Sequence, residues 1–89
     1  MPTLNYIALV RKEPETDYWI DVPDIPGCIA GGETVEQAKA LFAEALESHV
    51  RLSLEDGWTL PEPRSLEKVL SDEEPGDYVD SYIVEIEPD

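Results

Sequence analysis

Few side chains in this sequence could do chemistry, and their spacing favours packing and binding over catalysis. Asp21 and Asp24 could together bind a hard cation, but a chain with 21 acidic residues contains such pairs by chance. His49 is the single histidine and Cys28 the single cysteine. Neither has a neighbouring nucleophile, base or cation in the sequence that would activate it. We therefore expect both to be packed side chains, with no catalytic residues, no metal site and no cofactor.

The segment from residue 21 to 34 makes the most unusual backbone demands. Pro23 and Pro26 lack an N–H donor and fix their own φ, so residues 22–25 should be extended without forming a regular interior strand. The segment is either a structural connector or part of a binding surface, since rigid prolines lower the ordering cost of binding. The candidate partner-binding residues are Asp21, Asp24, Pro26, Gly27 and Glu33.

Strands are predicted on both sides of this segment. Residues 4–10 and 18–22 are rich in β-branched and aromatic residues and are separated by a polar turn, which predicts a hairpin. The first strand is apolar on both faces, which is typical of a central strand. A short third strand is predicted over 28–31, and a last strand over 78–86.

A long helix should follow Thr34. Thr34 with Gln37 fits a capping box, and Gly57 is a natural stop after a helix that reaches about Asp56. The spacing of apolar residues predicts one buried stripe, formed by Ala38, Leu41, Phe42, Ala45, Leu46, His49 and Leu52. Beyond the helix, Trp58 and Leu60 should cover its end, and Ser65 should cap a short helical turn over 66–70.

This order predicts an α+β fold of type β-β-β-α-β. We expect a three-stranded antiparallel sheet, one long covering helix, a short helical turn and a C-terminal strand that joins the sheet. With one long helix, the second face of the sheet should stay uncovered. Ile7, Leu9 and Ile83 would lie on that face and could support self-association.

Length and charge restrict the class of protein. At 89 residues the chain should be a single domain, residues 1–89. Its net charge of −15 makes it a poor nucleic-acid binder and suits it either to a basic partner or to a solubility surface. No apolar run reaches membrane-spanning length, and the N-terminus lacks a basic region followed by an apolar one. We expect a cytoplasmic protein without a membrane partner.

An ordered series of short motifs resembles the pattern of a known protein family. The motifs are Asp-Ile-Pro-Gly-Cys at 24–28, Gly-Glu-Thr-Val-Glu-Gln-Ala at 32–38, Glu-Ala-Leu at 44–46, Glu-Asp-Gly at 55–57 and Leu-Pro-Glu-Pro at 60–63. Across roughly residues 4–70 the chain resembles the HicB-like antitoxin family. The resemblance implies a partial RNase H-like fold. It also implies an antitoxin of a type II toxin-antitoxin system, which masks a small basic HicA-like mRNA-cleaving toxin.

The C-terminus departs from many members of that family, which append a DNA-binding segment. Here the sequence stops at Asp89, soon after the last predicted strand. We therefore expect a short form that does not bind nucleic acid directly and that forms a homodimer or homotetramer.

Two alternatives follow from the same resemblance. One is a stand-alone oligomeric module without a toxin. The other is a residual metal-dependent nuclease, but two-metal hydrolysis needs converging carboxylates, including one in the middle of the first strand. That strand has no acidic residue before Glu13, beyond its end. The sequence therefore favours a binding protein and not an enzyme.

Overall fold

A computed structural model describes residues 3–74 and 76–87. Its elements are β1 (Leu4–Arg11), β2 (Tyr18–Val22), β3 (Ile25–Gly32), α1 (Val35–Glu55), α2 (Leu66–Ser71) and β4 (Asp80–Ile86). The order of strands and helices confirms the predicted α+β class.

The four strands form one antiparallel sheet in the order β3-β2-β1-β4. β1 pairs with β2 on one side and with β4 on the other, which confirms its central position. The β1–β4 ladder is regular along its whole length, from Leu4 opposite Ile86 to Val10 opposite Asp80. The β2–β3 ladder instead shifts register between Asp21 and Val22.

The two strands bounding the sheet differ in length from the prediction. β3 begins at Ile25, so it includes Pro26 and Gly27, which the sequence had placed before the strand. An edge strand tolerates a proline because one side of its backbone needs no ladder partner. β4 begins at Asp80, two residues later than predicted. The preceding residue, Val79, donates its N–H to the Val10 carbonyl at 2.7 Å.

The predicted cap begins α1. The Thr34 hydroxyl accepts from the Gln37 N–H at 3.1 Å, and the Gln37 side-chain oxygen accepts from the Glu33 N–H at 2.7 Å. The return bond thus reaches one residue further back than in a standard capping box. Gly57, with φ of 86°, follows the helix end, as predicted.

The buried stripe of α1 is narrower than the sequence predicted. It consists of Ala38, Phe42, Leu46 and Val50. Leu41 and Leu52 are 44% and 60% exposed, so their assignment to the stripe was wrong. The helix packs mainly on β3 and less on β2. Leu41 lies at the margin of this contact, in a depression that Trp19 and Gly31 also line.

The exit from α1 also differs from the prediction. Trp58 is 70% exposed and does not cover the helix end, whereas Leu60 packs against the core. The Tyr6 hydroxyl donates to the Pro61 carbonyl and so anchors the exit segment to β1. This anchor lies beyond Trp58, so the indole is left outside the core.

The second face of the sheet is partly covered, contrary to the prediction. α2, capped by Ser65 as predicted, places Val69 against Ile7 and Leu9, with Leu70 and Tyr78 around them. The short helix achieves this because residues 57–65 carry the chain across to that face. Ile29 and Ile83, on either side of this cluster, remain about three-fifths exposed, at 62% and 61%.

Candidate partner-binding surface

Asp24, one of the predicted contact residues, is committed to an internal contact. Its side chain is only 7% exposed. Its carboxylate accepts from the Arg64 backbone N–H at 2.8 Å and from Arg64 Nε at 2.5 Å. Arg64 also contacts Asp72 at the end of α2, at 2.6 Å. Asp24 therefore ties the β2–β3 turn to the segment before α2.

Asp21 is also engaged within the chain. Its carboxylate accepts from Arg11 Nε at 2.6 Å, and Arg11 Nη2 reaches Glu73 at 2.8 Å. Burial acts to lower the pKa of Arg11, but the hydrogen bonds and charges of Asp21 and Glu73 outweigh it and raise that pKa. Arg11 thereby fastens β1 and β2 to the linker that leads into β4.

Pro26 and Gly27 are exposed on β3. Together with Asp21 they line a shallow groove whose other walls include Trp19 and Ile29. Three of the five predicted residues therefore do lie together. Gly27 adopts φ of 91°, a conformation that side chains disfavour.

Glu33 lies apart from this groove. It is exposed at the junction of β3 and α1, in a separate depression beside Tyr18, Gln37 and Leu41. The five predicted residues thus divide among one groove, a second depression and the partly exposed Asp24–Arg64 ion pair. Whether any of them contacts a partner stays a prediction.

Cys28 is packed as expected, whereas His49 is only half-buried and lies outside the buried stripe of α1. Cys28 is buried, and burial raises the pKa of its thiol, which keeps the sulfur protonated and poorly nucleophilic. His49 is half-buried, with its ring carbon Cε1 3.8 Å from the place that a Cβ on Gly27 would occupy. In residues 3–74 and 76–87, no three His, Cys, Asp or Glu side chains converge as a metal site would need.

The surface is strongly acidic. No charged residue is buried within the described parts of the chain, so their acidic excess lies on the surface. None of the described helices is long and apolar enough to cross a membrane.

Sequence reasoning missed a third groove, between α1 and the end of β4. Its apolar lining is Ala43, Val50, Leu54 and Ile86, and its charged lining is Glu47, Arg51, Glu55, Glu85 and Glu87. The alternation Glu85-Ile86-Glu87 at the strand end was the available signal. The α1 residues that line the groove could not be predicted from the sequence, because their place depends on how the helix crosses the sheet.

Solved structures of two antitoxin chains resemble this fold. The N-terminal domain of Burkholderia pseudomallei antitoxin HicB is 27% identical, with a TM-score of 0.78, and the match covers 94% of this chain and 99% of that domain. The longer structure of the same antitoxin is 26% identical with a TM-score of 0.70, and the match covers 94% of this chain and 62% of that one. The predicted arrangement of sheet and helix is therefore confirmed.

Curated relatives extend the similarity to a virus and a cyanobacterium. An uncharacterized 14.9 kDa protein of Haemophilus phage HP1 is 34% identical over 62 residues, which cover 70% of this chain and 47% of that protein. The UPF0150 protein ssl0738 of Synechocystis is 35% identical over 49 residues, which are 55% of this chain and 68% of that protein. The match thus spans about half the length of the phage relative.

The family model described as HicB_like antitoxin of bacterial toxin-antitoxin system matches residues 6–89. This range includes all the strands and helices except the first two residues of β1. It also extends the predicted resemblance, which stopped near residue 70, through β4. The chain belongs to the HicB-like antitoxin family of bacterial toxin-antitoxin systems.

Proposed function

We propose that this chain is an antitoxin that binds a small basic HicA-like toxin and masks the surface with which the toxin binds and cleaves mRNA. Membership of the antitoxin family is the observation that carries the proposal. The chain acts by binding and catalyses no reaction, and residues 1–89 serve as one antitoxin domain in the cytoplasm.

The charge supports a basic partner. An RNA-cleaving protein needs Lys and Arg to hold phosphates, and a net charge of −15 attracts such a surface over a long range. The same charge disfavours direct binding of this chain to nucleic acid. The antitoxin would thus compete with RNA for the basic groups of the toxin.

Self-association is part of the proposal. Ile29 and Ile83 lie exposed on the sheet face that α2 covers only in its middle. Burying such residues between copies would favour a homodimer or homotetramer. Analytical ultracentrifugation of the purified chain measures this state directly.

Co-expression tests the antitoxin function. If the neighbouring gene encodes a short basic protein, that protein is induced alone and together with this chain. We expect growth arrest and mRNA cleavage in the first case, and rescue with co-purification of the two proteins in the second. Phe42→Asp, which places a charge in the core, is the control that should abolish rescue. Failure of the intact chain to bind and neutralise the basic protein would contradict the proposal.

A further inference from the structure

The groove beside β4 exists because α1 covers only part of the sheet. The helix packs mainly on β3 and less on β2, so it does not extend over the far side of β4. Ala43, Val50 and Leu54 form the helix wall of the groove, and Ile86 forms its floor at the end of the strand. Val50 and Ile86 are only 6% and 7% exposed, so the apolar surface that is open beside the last strand of the described sheet belongs mainly to Ala43 and Leu54.

The groove borders the end of β4, where Glu85, Ile86 and Glu87 all line it. Since successive side chains of a strand point to opposite faces, Ile86 is the one that packs into the core with α1. In the described sheet, β4 pairs with β1 alone. Its outer backbone N–H and C=O groups are therefore open to another strand.

The charges beside the groove specify what could bind. Four carboxylates surround the apolar floor, at Glu47, Glu55, Glu85 and Glu87. Arg51 is the one basic residue of the lining, and it lies 3.9 Å from Glu47 in an exposed pair. A second copy of this chain would bring its own charge of −15 to this site. Charge complementarity therefore favours a basic occupant over a second copy.

We propose that an extended basic segment of the partner adds to the free edge of β4 as a fifth strand, with apolar side chains in the groove and Lys or Arg beside its carboxylates. Strand addition provides backbone hydrogen bonds, while the alternating side chains provide specificity. This inference rests on the proposed function, since it assigns the surface on which the basic toxin binds.

A model peptide tests the chemistry of the groove without the toxin. The probe is a capped synthetic peptide that alternates lysine and valine, titrated into the isotope-labelled full chain and followed by amide NMR shifts. The largest shifts are expected in β4 and along residues 43–54 of α1. A peptide that alternates glutamate and valine should not bind. Shifts centred on β3, or shifts spread evenly over the surface, would overturn the inference.

Matched variants test whether the toxin uses the same groove. Glu47→Lys combined with Glu85→Lys reverses a charge on each wall, and Glu15→Lys combined with Glu62→Lys makes the same net change at exposed sites elsewhere. The groove pair should weaken toxin binding by about tenfold or more, and the control pair by less than about threefold. Equal losses in the two pairs would show that only net charge matters and would overturn the inference.

A neutral pair separates groove filling from charge. Ala43→Gln occupies the groove with a longer side chain, and Ala40→Gln makes the same change at an exposed helix position outside it. Only Ala43→Gln should weaken binding of the peptide and the toxin, by about tenfold. If the intact chain neutralises the toxin but Ala43→Gln binds it normally, the proposed function stands and this inference fails.

Two further outcomes are decisive. If the intact chain binds no toxin, the proposed function fails and the peptide titration alone decides whether the groove accepts a basic strand. If the groove variants convert a dimer to a monomer and the peptide does not bind, the groove is an interface between copies and the inference is overturned.

Discussion

The two edges of the sheet are built differently. β3 contains Pro26 and three glycines, follows a register shift, and lies under α1. β4 contains neither proline nor glycine, pairs regularly with β1 along its length, and borders the groove. Proline, bulges and covering helices are the devices by which proteins prevent an edge from pairing with other chains. By this comparison β3 is the protected edge and β4 the open one.

The same contrast extends to the contacts that surround each edge. The turn into β3 is fixed by the Asp24–Arg64 pair and by the conformation of Gly27. Beside β4, the groove residues Glu85 and Glu87 are exposed, and only Ile86 belongs to the core. Variants near β3 should therefore change stability, whereas variants beside β4 should change binding.

Asp24→Ala should have the largest effect on stability. It removes a nearly buried carboxylate and leaves the Arg64 backbone N–H without its acceptor. Since Arg64 is itself about one-third exposed, we expect a loss of about 2 kcal/mol in the free energy of unfolding. Urea denaturation followed by circular dichroism measures this loss. Asp17→Ala, at an exposed position, is the control and should change stability by less than about 0.5 kcal/mol.

Gly27→Ala should have a smaller effect. At φ of 91° a Cβ strains the backbone, so we expect a loss of about 1 kcal/mol. The nearest atom to such a Cβ is His49 Cε1 at 3.8 Å, an ordinary contact, so the loss should come from the backbone. Gly27→Asn, which tolerates positive φ better, should lose less. Equal losses for Ala and Asn in urea denaturation would contradict this explanation.

Tyr82→Phe, on β4, should change the stability least at neutral pH. At alkaline pH it should change how stability depends on pH. Burial raises the pKa of Tyr82 from 10.0 to about 12, and the Lys39 ammonium lies 4.6 Å from the centre of its ring. The unfolded chain therefore loses this proton before the folded protein does. The protonated Tyr82 side chain therefore stabilises the folded protein fully below pH 10, and this contribution to the free energy of unfolding is lost as the pH rises towards 12.

Ultraviolet titration of tyrosinate absorbance, with denaturation at neutral and alkaline pH, measures this behaviour. Tyr82→Phe should remove one late-titrating tyrosine and reduce the alkaline loss of stability. Tyr6 provides the comparison, because burial first and the charge of Asp24 second also raise its pKa. If Tyr82→Phe leaves the number of late-titrating tyrosines unchanged, the pKa of Tyr82 is not raised by burial and the prediction is wrong.

The sequence predicted the fold well where local signals agree with packing. Alternation in residues 4–10 predicted a central strand, and the Thr34–Gln37 cap and Gly57 located both ends of α1. The ordered series of motifs from Asp24 to Pro63 led to the correct family. These features could be read because they depend on residues close together in the chain.

The arrangement of layers was decided by tertiary structure. Leu41 and Leu52 fit the helical period as well as the buried residues do, but they are 44% and 60% exposed in the folded protein. Trp58 is apolar but lies outside the Tyr6–Pro61 anchor. α2 covers Ile7 and Leu9 because a long connection brings it to the second face.

For the candidate site, the sequence determined the excess of negative charge and the presence of an unusual segment at residues 21–34. Only the tertiary structure showed that Asp21 and Asp24 are bound to Arg11 and Arg64 from distant parts of the chain. It also brought α1 beside the end of β4 and so created the acidic, apolar groove. The physical reason is that charge and periodicity are properties of a chain, whereas an open edge and the groove beside it depend on which elements pack together.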